Sequence, residues 1–250
     1  MEKQEILFNV NLTNLAYSKT EKIDWKGLEL KRIGWINNNK TDTQGFVATS
    51  KDTLYIVWRG SESPKDFIKD SQVRKVNFVK DGEKVHFGFN TAFKSIKEDL
   101  YSIISKIKTD KLTKVVICGH SLGAALTVLS AYSICNDFPE LKPLVKTLTI
   151  GCPRVGNSTF KNNYNELVPY SLRIVNDTDL VTRIPKIKYT HINDGLTLND
   201  NGEVISHSSL NPFRFIWEMF ISDITGEAVK DHMIDKYLEV INKWDGVIDK

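Results

Sequence analysis

A layered α/β protein with a largely parallel central sheet is the architecture that this sequence specifies, on three grounds. Short β-rich or fully apolar runs alternate with stretches of helical periodicity along most of the chain, which is the order of an α/β fold. The composition, 41% hydrophobic and 26% charged over 250 residues, is that of an ordinary globular protein and excludes a fibrous or disordered one. The run Val115–Cys118 has no polar alternation and leads directly into a helical segment, as a strand buried on both faces does. In such folds ligands bind beyond the carboxyl ends of the strands.

Taken in order, residues 5–18 place Ile6, Leu7, Val10, Leu15 and Tyr17 loosely at helical intervals. Gly45–Thr49 and Leu54–Trp58 are β-rich runs joined by Ser50, Lys51 and Asp52, the pattern of a hairpin. Phe89, Phe93, Ile96, Leu100, Ile103, Ile104 and Ile107 recur at three and four, which predicts one amphipathic helix over 89–107. A strand follows at Lys114–Cys118 and a helix at Ser121–Cys135. Leu148–Gly151 and Leu172–Asn176 read as buried strands flanking a helix at Ser158–Leu167. Asp194-Gly195 and Asn201-Gly202 mark a small hairpin excursion between Tyr189 and Ile205. Val229, Met233, Tyr237, Val240 or Ile241, and Trp244 form the buried stripe of a C-terminal helix.

The chain is expected to form one domain over 1–250. No repeat, low-complexity tract or Pro/Gly/Ser-rich linker divides it. Lys plus Arg number 34 against 31 Asp plus Glu, a net charge of +3 with the signs interspersed, so nothing suggests a nucleic-acid groove. The three cysteines, Cys118, Cys135 and Cys152, have neither disulfide-framework nor zinc-site spacing, and a reducing compartment is expected. The first residues are acidic where a secretory signal would be basic, and they lack an apolar core. The expectation is therefore a cytoplasmic chain, with secretion by another route left open. The 22 residues Val115–Asn136 carry no formal charge, but Gly119, His120, Ser121 and Gly123 interrupt them as they would not a membrane span. The N-x-S/T strings at Asn11, Asn157 and Asn176 are not read as signs of secretion.

Chemistry is concentrated at Gly119-His120-Ser121-Leu122-Gly123, a G-x-S-x-G string between an apolar strand and a helix opening with Ala124 and Ala125. A tight turn there lifts the Ser121 hydroxyl clear of the sheet and points the first N–H groups of the helix at whatever it attacks. A serine hydroxyl is a poor nucleophile near neutral pH; it needs a base, and the base needs a group to orient it. After the strand at Leu172–Asn176 stand two acids, Asp177 and Asp179, and beyond them His191, His207 and His232. His232 is favoured as the base because it lies at a loop-to-helix boundary, whereas His191 and His207 fall in polar loops. His86 and His120 precede the acids and read as hydrogen-bonded structural residues.

The chain resembles the class 3 lipases, the fungal triacylglycerol lipases and their bacterial, plant and animal relatives. The resemblance is carried by Trp58-Arg59-Gly60-Ser61, Val85-His86-Phe87-Gly88-Phe89, Gly119–Gly123, Gly151-Cys152-Pro153-Arg154-Val155-Gly156-Asn157, and Asn176-Asp177-Thr178-Asp179-Leu180-Val181 leading to Pro185. It implies an α/β-hydrolase fold, Ser121 as nucleophile, Asp179 rather than Asp177 as acid, and His232 as base. It also implies an oxyanion hole formed by Ser61 and the N–H of Leu122. No metal or cofactor is implied. Asp179 has enough chain after the strand end to reach back to an imidazole, while Asp177 is placed to cap the turn. Arg59 and Arg154 read as structural, tying loops together.

The same resemblance makes the segment at about 62–72 a lid. Ser63-Pro64-Lys65-Asp66 has the capping signature of a short helix. Its only large apolar residues are Phe67 and Ile68, so it exposes little apolar surface on opening. Pro212–Ile224 is too rich in large apolar residues for one helix face and is a candidate for core, acyl pocket or membrane contact. The expected function is hydrolysis of acylglycerol or related lipid esters, with a lipid or small ester as partner, transient contact with a lipid interface, and no nucleic acid or obligate protein partner. A phospholipase or a short-chain esterase is the alternative within enzymes, and a lipase-like binding scaffold is the alternative outside them.

Overall fold

The chain opens with α1 (Lys3–Leu15), whose Ile6, Val10 and Thr13 face the interior at helical spacing. A computed structural model describes residues 1–18, 22–61, 74–168, 170–177, 179–205 and 230–247. The lid candidate with Phe67 and Ile68, the apolar segment 212–224, His207 and Val229 lie outside the described residues.

Three antiparallel strands follow: β1 (Lys31–Asn38), β2 (Thr43–Ser50) and β3 (Thr53–Trp58). The β2–β3 hairpin turns on Lys51, which takes a positive φ of 52°. A short ribbon pairs β4 (Lys75–Asn77) with β5 (Lys84–His86). The single helix expected over 89–107 is instead two, α2 (Phe87–Lys94) and α3 (Lys97–Ile104). At the break, Ser95 Oγ donates to the carbonyl of Ala92 at 2.7 Å and lies 2.8 Å from Thr41 Oγ1. A serine that bonds its own backbone competes with the helix ladder, and Ile96 leaves the helical region with φ −125° and ψ −4°.

The remaining elements alternate: β6 (Lys114–His120), α4 (Leu122–Asp137), β7 (Val145–Ile150), α5 (Ser158–Leu167), β8 (Tyr170–Asn176), β9 (Leu196–Leu198) and α6 (Ile234–Lys243). Among the described residues the main sheet has seven strands in the order β1-β2-β3-β6-β7-β8-β9, parallel from β3 onward. The hairpin excursion therefore contributes a parallel edge strand, β9, which is bridged to Val204 across the Asn201-Gly202 turn. The uncharged stretch Val115–Asn136 is β6 and α4, and no described helix is long and apolar enough to cross a membrane.

Both faces of the sheet are covered. Val47, Leu54, Ile56, Trp58, Val115 and Ile117 point to one side, where α2, α3, α4 and α5 pack. Their neighbours Phe46, Ala48, Val57 and Cys118 point to the other, against α1 and α6. This is the period of two expected of strands. α4 is buried on every side, in accord with its lack of charge before Asp137. Tyr237, Val240, Ile241 and Trp244 form the inner face of α6 as expected, but Met233 is 46% exposed. It precedes the helix as its N-terminal cap and faces out. The three cysteines are free and buried, and burial pushes each thiol up to about 12.

Leu129 lies at the centre of α4, fully buried. Leu129→Ala should cost about 2–5 kcal/mol, the usual range for a large-to-small change that leaves a cavity, measured as a shift in the urea unfolding midpoint.

Candidate active site

Because β3, β6, β7 and β8 run parallel, their carboxyl ends deliver four loops to one edge of the sheet: Arg59–Ser61, Ser121, Gly151 and Asn176–Asp179. Ser121 is the residue between β6 and α4, with φ 58° and ψ −122°. An L-residue rarely adopts such a conformation. Two glycines let strand and helix come close enough to impose it. A Cβ at Gly119 would lie 2.3 Å from the carbonyl oxygen of Gly123, and one at Gly123 would lie 2.3 Å from the carbonyl oxygen of Trp58. Ala124 and Ala125, also fully buried, keep the first turn of α4 on the sheet. Leu122 opens that helix, where a backbone N–H has no acceptor within the helix itself.

Asp179 and His232 meet beside this turn. Nδ1 of His232 lies 2.7 Å from Oδ2 of Asp179, with both residues fully buried. The same carboxylate oxygen accepts from the Tyr237 hydroxyl at 2.6 Å, and Oδ1 accepts from the N–H of Val181 at 2.8 Å. The Tyr237 oxygen in turn accepts from the N–H of Asn176 at 3.1 Å. Burial and the neighbouring Asp179 charge raise the Tyr237 hydroxyl well above the ordinary tyrosine value, so it stays a donor. Gly151, with φ 59°, forms the floor: a Cβ there would stand 3.0 Å from both Asp179 Oδ2 and His232 Cε1. Nε2 of His232 is buried and has no hydrogen-bond partner among the described residues. Asp177 faces elsewhere, with its Oδ1 3.7 Å from the Arg183 guanidinium.

The Ser61 loop is held by side chains from two directions. The Arg59 guanidinium pairs with Asp42, and Ser61 Oγ donates to the other oxygen of that carboxylate at 3.4 Å. The N–H of Gly60 donates to the Tyr17 hydroxyl at 3.1 Å, and Tyr17 donates onward to His120 Nδ1 at 2.7 Å. His120 Nε2 donates to the carbonyl of His232 at 2.6 Å. One chain of hydrogen bonds thus runs from the Ser61 loop, past the Ser121 turn, to the His232 loop. Arg154 ties its own loop to the carbonyl of Pro185 at 3.4 Å, a structural role as expected.

Nothing in the sequence marks Tyr17 and Tyr237 as parts of the site. Each sits on a helical apolar stripe and reads there as core. The available signal was that a buried tyrosine hydroxyl almost always needs a polar partner. Among the described residues no group of three His, Cys, Asp or Glu is placed to hold a metal ion.

Comparison with known proteins decides the family. The model of the class 3 lipases matches residues 55–189, more than half of the chain. The chain belongs to the class 3 lipases. A lipase of Rhizopus niveus is 32% identical over 163 residues, which are 62% of this chain and 41% of that protein. Phospholipase A1-IIgamma of Arabidopsis thaliana is 28% identical over 201 residues, covering 66% of this chain and 48% of the relative. The chain thus spans less than half the length of these two class 3 lipase relatives. A solved triacylglycerol lipase whose catalytic centre is formed by a serine protease triad superposes with a TM-score of 0.71. It is 28% identical, and the match covers 79% of each chain. The fold is accordingly that of an α/β-hydrolase.

His120 provides a pH test of the hydrogen-bond chain. Burial first, then the nearby His232, hold its imidazole well below the ordinary histidine value, so it is neutral when folded. Below about pH 6.5 the unfolded chain takes up a proton here that the folded protein does not, so this contribution to stability is full above that pH and is lost as the pH falls. Urea unfolding of the unmodified protein should therefore weaken more steeply between about pH 7 and about pH 5 than that of His120→Gln.

Proposed function

We propose that this protein hydrolyses carboxylic esters, acylglycerols or related lipid esters, through an acyl-enzyme on Ser121. The observation that carries the reading is a serine on a strained strand-to-helix turn beside a buried Asp179–His232 pair whose Nε2 is left without a partner. In this reading Ser121 Oγ attacks the ester carbonyl carbon while its proton passes to His232 Nε2. Asp179 holds the imidazole with its Nδ1 protonated and stabilises the imidazolium that forms. The N–H of Leu122 and the Ser61 loop take the developing oxyanion, and one such donor is usually worth roughly 3–4 kcal/mol in the transition state. Collapse of the tetrahedral intermediate expels the alcohol, which leaves with the proton from His232. Water, deprotonated by the same nitrogen, then attacks the acyl-enzyme and releases the acid.

The tie to a phospholipase A1 supports a second reading, in which the ester belongs to a phospholipid. A panel of esters differing in acyl length and head group separates the two, and the preferred class is the one with the higher kcat/KM. The lid reading of 62–72 belongs to the same proposal. With only Phe67 and Ile68 to bury, we expect a modest rise in rate once an ester passes its solubility limit, and Phe67→Ser to remove it.

Ser121→Ala should leave a folded protein with ester turnover lowered by several orders of magnitude, and a fluorophosphonate should label the unmodified chain at Ser121 alone. Retention of most activity, or labelling of the variant, would favour the binding-scaffold reading. Asp179→Asn should cost several orders of magnitude in kcat, whereas Asp177→Asn should cost little, because only Asp179 fixes the imidazole tautomer. Tyr237→Phe removes one donor to that carboxylate and should lower stability by about 1.5–3 kcal/mol, read from urea unfolding, with a smaller loss of kcat than Asp179→Asn.

A further inference from the structure

Beyond the loop that leaves the carboxyl end of β7, a groove of about 760 Å³ opens between the β4–β5 ribbon, the first turn of α5 and the loop before Thr190. Lys75, Lys84 and Lys188 line it together with Asn157, Ser158 and Thr190. None of the three lysines has an ion-pair partner among the described residues. They feel one another: after burial, the charges of Lys188 and Lys84 hold the Lys75 ammonium below the ordinary lysine value. The acid within the ribbon gives no relief, because Glu83 is buried and its carboxylate is taken up by Tyr132, Asn163 and the N–H groups of Val79 and Lys80. Asp81 accepts from the N–H of Gly82 at 2.9 Å. Thr190 adds a hydroxyl that is buried and without a hydrogen-bond partner among the described residues. The site is therefore built for negative charge.

Its rim is apolar. Ile187, between Lys186 and Lys188, is 69% exposed. Tyr189, two residues on, carries the Lys75 ammonium over its ring at 4.4 Å, and its hydroxyl donates to the carbonyl of Arg74 at 3.3 Å. Arg74 in turn lies over the ring of Phe87, at 4.7 Å. Cations around a concave site, next to a protruding aliphatic side chain, are the combination that binds an interface of anionic headgroups and acyl chains.

We propose that this groove receives the headgroups of anionic phospholipids and, with Ile187 inserted among the chains, docks the protein on anionic lipid surfaces. The proposal rests on the lipid-ester reading above and adds to it the charge of the surface and the residues that meet it. Asn157 and Ser158 of the groove end the loop that leaves the carboxyl end of β7, the same end of the strands from which the Ser121 loop leaves β6, so docking here would hold that end of the sheet toward the lipid.

The test is sedimentation of the Ser121→Ala protein with vesicles of phosphatidylcholine alone and of equimolar phosphatidylcholine and phosphatidylglycerol. Binding should be strong only to the anionic vesicles and should weaken steadily with added salt. The combined Lys75→Gln, Lys84→Gln and Lys188→Gln changes should weaken it about a hundredfold, at about 1 kcal/mol per lysine near an anionic surface. Ile187→Ser should weaken it further. With Ser121 intact, the triple variant should hydrolyse a dissolved short-chain ester at the unmodified rate, which also reports that it folds. If that rate falls too, the salt dependence of the unmodified protein and a single Lys188→Glu change decide instead. Equal binding to both vesicle types, salt-independent binding, or unchanged binding by the lysine variants overturns the proposal. So does a groove that takes up inorganic phosphate while the protein ignores anionic vesicles, which would assign it to a soluble phosphate. Lysine-dependent vesicle binding by a chain that hydrolyses no ester would sink the hydrolase reading and leave the docking site standing.

Discussion

The backbone at Ser121 is the constraint on which the site depends. A non-glycine residue in so sparsely populated a conformation costs of order 1–3 kcal/mol and persists only where its surroundings over-determine it. Here they do. The N–H of Ser121 donates to the carbonyl of Ile150 on β7 at 3.0 Å, and its own carbonyl accepts from Ala124 and Ala125 at 3.0 and 3.2 Å. The strand before it is paired on both sides and the helix after it is buried on all sides. Relaxing the turn would require β6 and α4 to separate, and the contact of Gly123 with the Trp58 and Arg59 carbonyls leaves no room for a compromise. The strain is thus maintained by the core rather than by the site.

A second constraint follows from how far apart in sequence the parts of the site are. Ser61, Ser121, Asp179 and His232 come from four separate segments, and each loop is free to shift unless something spans them. The polar chain Gly60–Tyr17–His120–His232 spans three of the four. Its directions are self-consistent: each donor meets an acceptor only if His120 is neutral and protonated at Nε2. A buried network in which every member is satisfied rigidifies what it joins, whereas a half-satisfied one is costly. Asp179 is treated alike, with three donors around one buried carboxylate. The exception is Nε2 of His232, which is buried without a partner among the described residues and which, in the proposed reading, takes the serine proton.

What the sequence shows and what it hides have physical causes. The strands β3 and β6 are largely apolar because both their faces are covered, and α5 begins at Ser158 because Asn157 caps it, its Oδ1 accepting from the N–H of Phe160 at 3.0 Å. Such elements are written in composition and can be read there. β1 was not, because an edge strand of sequence KRIGWINN with a bulge between Arg32 and Gly34 buries only Ile36 and carries no alternation. The break at Ser95 is not legible there, because hydrophobic period alone cannot register a serine that turns back on Ala92. Within the candidate site, Ser121 and His232 are visible through motif and order, and Asp179 is singled out from Asp177 by the family resemblance. Tyr17 and Tyr237 are not, because their aromatic bodies read as apolar residues just after α1 and within α6, and only the hydroxyl at the tip has a further task.

A cluster of lysines at the same end of the sheet as a carboxylate–imidazole pair raises the question of how the two coexist. Asp179 is fully buried and its oxygens are occupied by three donors, so it offers nothing to an ammonium outside. Lys84 and Lys188 of the groove are exposed, and a mobile ionic atmosphere reduces the reach of exposed charges to about 8–10 Å at ordinary salt. The carboxylate–imidazole pair is therefore fixed by its own donors and does not compete with the lysines for a partner.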